Sequence, residues 1–530
     1  MAQDKRSETD TDPLIRMEGI TKRFPGVLAN DSVDFSVQEG EIHALVGENG
    51  AGKTTLMKVL YGIYSKDEGQ IYFDDEHVSI EDPKDANNLG IGMVHQHFML
   101  VPPLSVVDNI TLGSEIAHRG VLDREEGKRR IRDLASDIGF DIDPEATVED
   151  LSVGVRQRIE ILKVLFREAE VLILDEPTAV LTPQEVESLY EILTNLQEQG
   201  KTIIFITHKL NEVMDLADRV TVMREGKKVG TKGIEETSKN NLANMMVGRE
   251  VLLRVEKKEA EPGEELIRAE NLTVKNDEGV NLVNDISFSI REGEVFGIAG
   301  VQGNGQTELI EALTGIDRFS SGTVEVQNSD LTNADGRELR EEGIGHIPED
   351  RLDRGMITDF TVTENFVLGY HTFERYSNRL FLKLKEMDNH AEEAVEEFDI
   401  KTPSTKTLAE SLSGGNQQKL IVARELSQQP KLLVAAQPTR GIDVGAIEFV
   451  HERLMEERAS GKGLLLVSSE LDEIMSLSDR IAVIYEGEFT GMFDSNETSK
   501  EELGVYMTGS KRQNEEEVRR KALGKVSLGE

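Results

Sequence analysis

Two stretches of this chain, 253 positions apart, are versions of one another. GENGAGKT runs from Gly47 to Thr54 and GVQGNGQT from Gly300 to Thr307. The same offset relates FSVQEG at Phe35 to FSIREG at Phe288. Further on, LSVGVRQ from Leu151 faces LSGGNQQ from Leu412 at an offset of 261, which also relates LILDEPT, ending at Thr178, to LVAAQPT, ending at Thr439, and ITHKLNE to VSSELDE. A chain of 530 residues built this way folds as two homologous domains of about 240 residues, the second carrying an insertion between its glycine loop and its LS motif. Each copy alternates β-like apolar runs, such as Val171 to Leu174 and Ile203 to Thr207, with helical stretches. That alternation predicts an α/β core with a mainly parallel sheet.

The first glycine loop lies between an apolar run, Ile42 to Val46, and a helical pattern, Thr55 to Leu60. Strand, glycine turn and helix N-terminus together aim backbone N–H groups at phosphate oxygens. Gly47, Glu48, Asn49, Gly50, Ala51, Gly52 and Thr55 are expected to cradle the phosphates. Lys53 would reach the β- and γ-phosphates, and Thr54 would place its hydroxyl on Mg2+.

Downstream, the strand pattern Val171 to Leu174 ends in Asp175 and Glu176. A buried strand would deliver Asp175 to the metal and Glu176 beside the γ-phosphate, where a carboxylate polarises the attacking water. Read alone, such a pair could equally cap a helix or turn. His208 follows the apolar run Thr202 to Thr207 and is placed to hold the γ-phosphate and the water. Gln96, after Ile91 to Val94, offers an amide oxygen to Mg2+ from a loop that could sense a partner. Phe24, 29 residues before Lys53, is placed to stack on an adenine, although an isolated phenylalanine reads more readily as core.

The second copy has lost these groups together. Lys53 corresponds to Gln306, Asp175 to Ala436, Glu176 to Gln437, His208 to Ser469, Gln96 to Glu349 and Phe24 to Asp277, while the glycines and Thr307 persist. The LS motifs are damaged the other way: LSGGN, Leu412 to Asn416, is intact in the second copy, and the first reads LSVGV.

Composition closes off other classes. With 100 acidic against 60 basic residues the net charge is −40, spread along the chain, which argues against a nucleic-acid partner and suits a cytoplasm at molar salt, as in a halophile. There is no cysteine, so disulfides, Cys-ligated zinc and iron–sulfur clusters are out. No apolar run reaches the length of a membrane span, and the first dozen residues are polar rather than a signal peptide. RVEKKEAEPGEE reads as a short linker. The charged stretch after Gly509 reads as a frayed helix or disorder, or as a partner-binding element.

The order aromatic, phosphate loop, glutamine loop, LS motif, apolar-DE and His resembles the ATP-binding cassette (ABC) ATPases, twice over. FPGVLAND, GMVHQHFMLVP, DEPTAVLTPQE, HIPEDR, LSGGNQQK and QPTRGIDVGA narrow the resemblance to tandem-cassette subunits of importers for simple sugars and purine nucleosides. It implies two tandem ABC-type nucleotide-binding domains, each a P-loop α/β core with a helical subdomain: a polar tail over 1–12, domains over 13–249 and 265–508, a linker over 250–264, and a charged tail over 509–530. In that family ATP is sandwiched between one cassette's phosphate loop and the other's LSGGQ motif. Crossed over, Lys53, Asp175, Glu176 and His208 would meet Ser413, Gly414 and Gly415. Asp443 would join them, its own counterpart being Thr182. The resemblance further implies ATP and Mg2+ as cofactors, two integral-membrane permease subunits and an extracellular solute-binding lipoprotein as partners, and a place on the cytoplasmic face of the membrane with contact only through the permeases. The stretch His97 to Gly113 is a candidate for permease coupling or a packed helical subdomain. The rival is a soluble tandem cassette acting on the ribosome. That type keeps two intact catalytic glutamates and a long linker, whereas this chain has Gln437 and a short one.

Overall fold

The computed structural model describes residues 12–95, 98–118, 121–140, 142–178, 181, 183–250, 257, 262–327, 329–378 and 380–524. The chain divides into two units, Met1–Val251 and Leu252–Glu530, the division falling at the charged stretch that reads as a linker.

In the first unit the strand Ile42–Val46 lies in a six-stranded sheet between Thr202–Thr207 and Arg219–Arg224, parallel to both. Val171–Asp175 and Ile91–Val94 extend the parallel layer on one side, and Lys227–Gly233 closes the other edge antiparallel. Four of these strands, Ile42–Val46, Val171–Asp175, Thr202–Thr207 and Ile91–Val94, are buried along their whole length, as strands covered on both faces must be, which is why they read as unbroken apolar runs. A second, antiparallel sheet pairs Ile15–Phe24 with Val27–Val37 and Glu68–Phe73. The helix Lys53–Leu60 packs Leu56, Met57 and Leu60 into the core that both sheets line with Ile15, Phe35 and Ile173.

Parallel strands all end at one edge, and the loops leaving that edge carry the residues singled out above. The glycine loop follows Val46, Asp175 closes its strand, and His208 comes directly after Thr207. The helices Val106–Thr111, Arg124–Asp137 and Val153–Phe166 pack on one another to form the helical subdomain. Within the stretch His97 to Gly113, Val106, Val107 and Ile110 are buried in that packing, while Met99 and Leu112 are 62% and 49% exposed. The segment thus contains both a packed helix and an apolar surface.

The second unit repeats the design. Its six-stranded sheet runs Ile344–Ile347, Leu432–Ala436, Gly463–Ser468, Val295–Ala299, Arg480–Tyr485 and Glu488–Asp494, with only the last pairing antiparallel. Its subdomain helices are Val362–Phe366, Leu384–Glu397 and Gly414–Leu426. The C-terminal stretch departs from the sequence expectation of fraying. The helix Glu515–Ala522 buries Val518 and Ala522 against the strands Asn281–Arg291 and Glu488–Asp494. Arg480 donates to the carbonyls of Lys521 and Ala522, tying the helix end to the sheet.

Candidate nucleotide site

The glycine loop of the first unit turns into its helix through Gly52, at φ 92°, where a Cβ would stand 2.2 Å from the Ala29 carbonyl oxygen. Only glycine fits there. Lys53 opens the helix, 6% exposed, and its Nζ donates to the carbonyls of Gly47 (2.7 Å) and Glu48 (3.0 Å). The loop therefore folds around its own cation, the group that phosphate oxygens would engage. Thr54 Oγ1 donates to Asp175 Oδ1 at 3.1 Å, joining the helix start to the end of the strand Val171–Asp175. Two oxygens bound cis on an octahedral Mg2+ at about 2.1 Å lie about 3 Å apart, so this pair fits the ion without rearrangement.

Glu176 follows at φ 47°, a left-handed conformation that is costly for a side-chain-bearing residue. The turn aims its carboxylate at His208, whose Nδ1 stands 2.9 Å from Glu176 Oε1. An ionised carboxylate can only accept, so Nδ1 is the protonated ring nitrogen in this pair. Burial raises the proton affinity of Glu176, but the hydrogen bond and charge of His208, with Lys53 and Lys209, outweigh it and hold the carboxyl below the ordinary glutamate range. Asp175 moves the other way: burial lifts it above the usual aspartate value, the hydrogen bond from Thr54 only partly opposing this. The two neighbouring carboxyls are thus shifted in opposite directions, Glu176 toward its ionised form and Asp175 toward its protonated one.

Sequence patterns carry the same message in both halves. The family described as ABC transporter matches residues 30–179 and again 283–440. The chain belongs to that family. It is 50% identical over 497 residues to the guanosine import ATP-binding protein NupO of Bacillus subtilis, covering 94% of this chain and 98% of the relative. The nucleoside import ATP-binding protein NupA of Lactococcus lactis is 46% identical, with 94% and 98% covered. The glucose import ATP-binding protein TsgD13 of Haloferax volcanii is also 46% identical, with 94% and 96% covered. A solved complex of the archaeal ribosome recycling factor aABCE1 with the stalk protein aP1 aligns over 89% of this chain and 88% of its own at a TM-score of 0.60, but at 18% identity it shares the fold alone. The tandem ABC architecture expected from the motifs is thus the architecture of this chain.

The other expected residues of the first ABC cassette fall as follows. Phe24 ends its strand half-buried, its ring in a T-shaped pair with Tyr64 at a centroid distance of 5.2 Å and under the Lys22 ammonium, 5.5 Å from the centroid. Gln96 lies outside the described residues, as does Thr182. One buried residue went unnoticed in the sequence. Glu212 accepts from Thr178, in the DEPT segment, and at 2.8 Å from Thr207, at the end of the strand before His208. It locks the Glu176 and His208 loops together. Its signal was the final glutamate shared by ITHKLNE and VSSELDE, for Glu473 accepts from Thr439 at 2.8 Å in the second cassette.

The second cassette keeps the scaffold and changes the chemistry. Gln437 repeats the left-handed turn, and its Oε1 accepts from Ser469 N and Oγ at 3.2 Å. Gln306 folds into its own loop, accepting from Asn304 N (3.2 Å) and donating to the Val301 carbonyl (3.1 Å). With Ala436 in place of Asp175, Thr307 Oγ1 turns to Glu349 Oε2 at 3.0 Å. Ser413 caps the helix Gly414–Leu426, its Oγ accepting from Asn416 N, and Gly414 and Gly415 open that helix.

Proposed function

We propose that this chain is the ATP-hydrolysing, energy-coupling subunit of an importer for a nucleoside or simple sugar, working peripherally on the cytoplasmic face of the membrane. The observation that carries the reading is the first cassette's paired geometry: Thr54 with Asp175 for Mg2+, and Glu176 with His208 for water. Likeness to import subunits over nearly the whole chain supports the transport role over a ribosomal one.

In this reading the loop Gly47 to Thr55 binds the ATP phosphates, Lys53 leaves its carbonyl partners to neutralise them, and Phe24 stacks on the adenine. Thr54, Asp175 and Gln96 would hold Mg2+, which would supply positive charge against the phosphate oxygens. Glu176, kept ionised, takes a proton from the attacking water while His208 fixes its orientation. Ser413, Gly414 and Gly415 offer a hydroxyl and helix N-terminal N–H groups suited to a terminal phosphate. Closure and reopening of the cassettes would drive two permease subunits supplied by a solute-binding lipoprotein. The exposed Met99 and Leu112 are the residues we assign to permease contact.

The test is uptake of labelled glucose, ribose and guanosine by cells in which Glu176→Gln replaces the native chain. Loss of one solute class establishes import and names the cargo. Normal uptake with slowed protein synthesis would reverse the assignment.

A further inference from the structure

The nucleotide loop of the second cassette has lost its lysine but has gained charges elsewhere. Glu349 stands at the position of Gln96, Arg351 at that of Phe98, and Arg440 at that of Ala179, so three formal charges occupy positions that carry none in the first cassette. They are joined. Glu349 accepts from Thr307 Oγ1 through Oε2 and from Arg440 Nη1 through Oε1 at 2.8 Å. Arg351 Nη1 donates to the backbone carbonyl of Arg440 at 2.9 Å. The Arg351 guanidinium also lies against the start of the signature helix, where a Cβ added at Gly414 would stand 3.0 Å from Nη2. A continuous line of contacts therefore runs from the phosphate loop at Thr307 to the glycines that follow Ser413.

We infer that the second cassette has converted its degenerate nucleotide site into a brace, in which Glu349, Arg440 and Arg351 position the segment Ser413 to Gly415. The inference rests on the proposed role of that segment in hydrolysis. Two consecutive glycines have more backbone freedom than any other pair, and donors must be held in place to act on a phosphate. In this cassette the uncharged Gln306 side chain lies within its own loop, and the loop's threonine is engaged by Glu349. A small cavity lined by Gln306, Thr307, Glu349 and Ala436 adjoins these contacts. Arg351 reaches the signature from a half-buried position, and its Nε has no hydrogen-bond partner, so its fit against Gly414 is one of packing and charge. The Arg440–Glu349 ion pair is half-exposed and would count for little alone. Its effect comes from joining three loops.

The test uses the full chain in steady-state ATPase assays of Glu349→Gln, Arg440→Ala and Arg351→Phe, with the conservative Arg440→Lys and the charge swap Glu349→Arg with Arg440→Glu beside its two singles. Each single change should lower kcat about tenfold with the KM for ATP held within about twofold, since the first cassette's loop is untouched. The swap should recover most of the loss, and Arg440→Lys should stay near native, at unchanged thermal midpoints. Equilibrium dialysis with a non-hydrolysable ATP analogue should give the same nucleotide stoichiometry in every variant as in the native chain. Unchanged kcat, or a swap no better than its singles, would overturn the brace. A second bound nucleotide on loss of Glu349 would overturn it too, by making Glu349 a lock on binding instead. Ser413→Arg assayed alongside separates the two levels: if it leaves turnover intact, the role of the signature segment itself is wrong.

Discussion

Glu176 and Gln437 occupy the same left-handed turn, at φ 47° and 46°, each directly after a fully buried strand. The second cassette thus displays, in its own fold, how a carboxamide sits where the first cassette has its base. Glu176→Gln should therefore leave the turn and the nucleotide loop intact while removing the carboxylate proposed to take a proton from water. Turnover should fall by about 10²-fold or more with ATP still bound. The reverse change, Gln437→Glu, should not raise turnover, because Gln306, Ala436 and Ser469 remain around it. Paired ATPase and nucleotide-trapping assays check both, and a large gain in Gln437→Glu would end the one-site account.

Asp175, proposed to meet a cation, carries a cost in the absence of one. Burial raises its proton affinity, so its ionised form is disfavoured in the folded state, and that destabilisation is fully present once the pH is above its raised value. Asp175→Asn should accordingly raise the thermal midpoint of the nucleotide-free chain at pH 7, with the gain shrinking as the pH falls toward the ordinary aspartate range. The same variant should weaken Mg2+, or Mn2+ followed by electron paramagnetic resonance, by at least about tenfold in the presence of nucleotide. A variant with both lower stability and native metal affinity would contradict the assignment of Thr54 and Asp175 as the metal pair.

His346, in the strand Ile344–Ile347, gives the second cassette an acid-sensitive element. Burial lowers its pKa to about 4 from 6.5, the nearby Glu425 charge only partly opposing this, and its Nε2 has no partner. Between pH 6.5 and 4 the unfolded chain takes up a proton that the folded chain refuses, so stability is greatest above 6.5 and falls as the pH drops. The loss is up to about 3 kcal/mol. Urea unfolding followed by circular dichroism should show this slope in the native chain and a shallower one in His346→Gln. Identical slopes would mean that the ring is solvated in the folded state.

What was legible in the sequence is what the chain encodes within a few residues. The P-loop, the Asp175–Glu176 pair and the strand before His208 are contiguous patterns whose geometry follows from strand, turn and helix, and the structure brings Thr54 to Asp175 and His208 to Glu176. Arg440 and Glu349 are 91 residues apart, and no local pattern links them; only the parallel order of their strands sets their loops side by side. The C-terminal helix was misjudged for a related reason. Its composition has few apolar residues, but Val518, Ala522 and Leu523 suffice, because the strands of the second unit supply the rest of the apolar surface.

Ser413 and Ser152 make the sharpest comparison, because both cap a helix start, although Ser413 Oγ also accepts from Asn416 Nδ2 at 2.9 Å. Each caps its helix, Ser413 Oγ accepting from Asn416 N and Ser152 Oγ from Val155 N, both at 3.4 Å. Losing either cap should cost about 1 kcal/mol of stability, so Ser413→Arg and Ser152→Arg should shift the thermal midpoint alike. Their effects on turnover should not be alike. The segments differ directly after the serine, where Gly414 stands against Val153, a branched side chain that is 39% exposed at the helix start. If the proposed pairing holds, an arginine at 413 abolishes ATPase activity and one at 152 leaves most of it. Equal losses, at equal stability, would mean that both signatures meet a hydrolysing loop, and the asymmetry written into the two copies would then have no catalytic meaning.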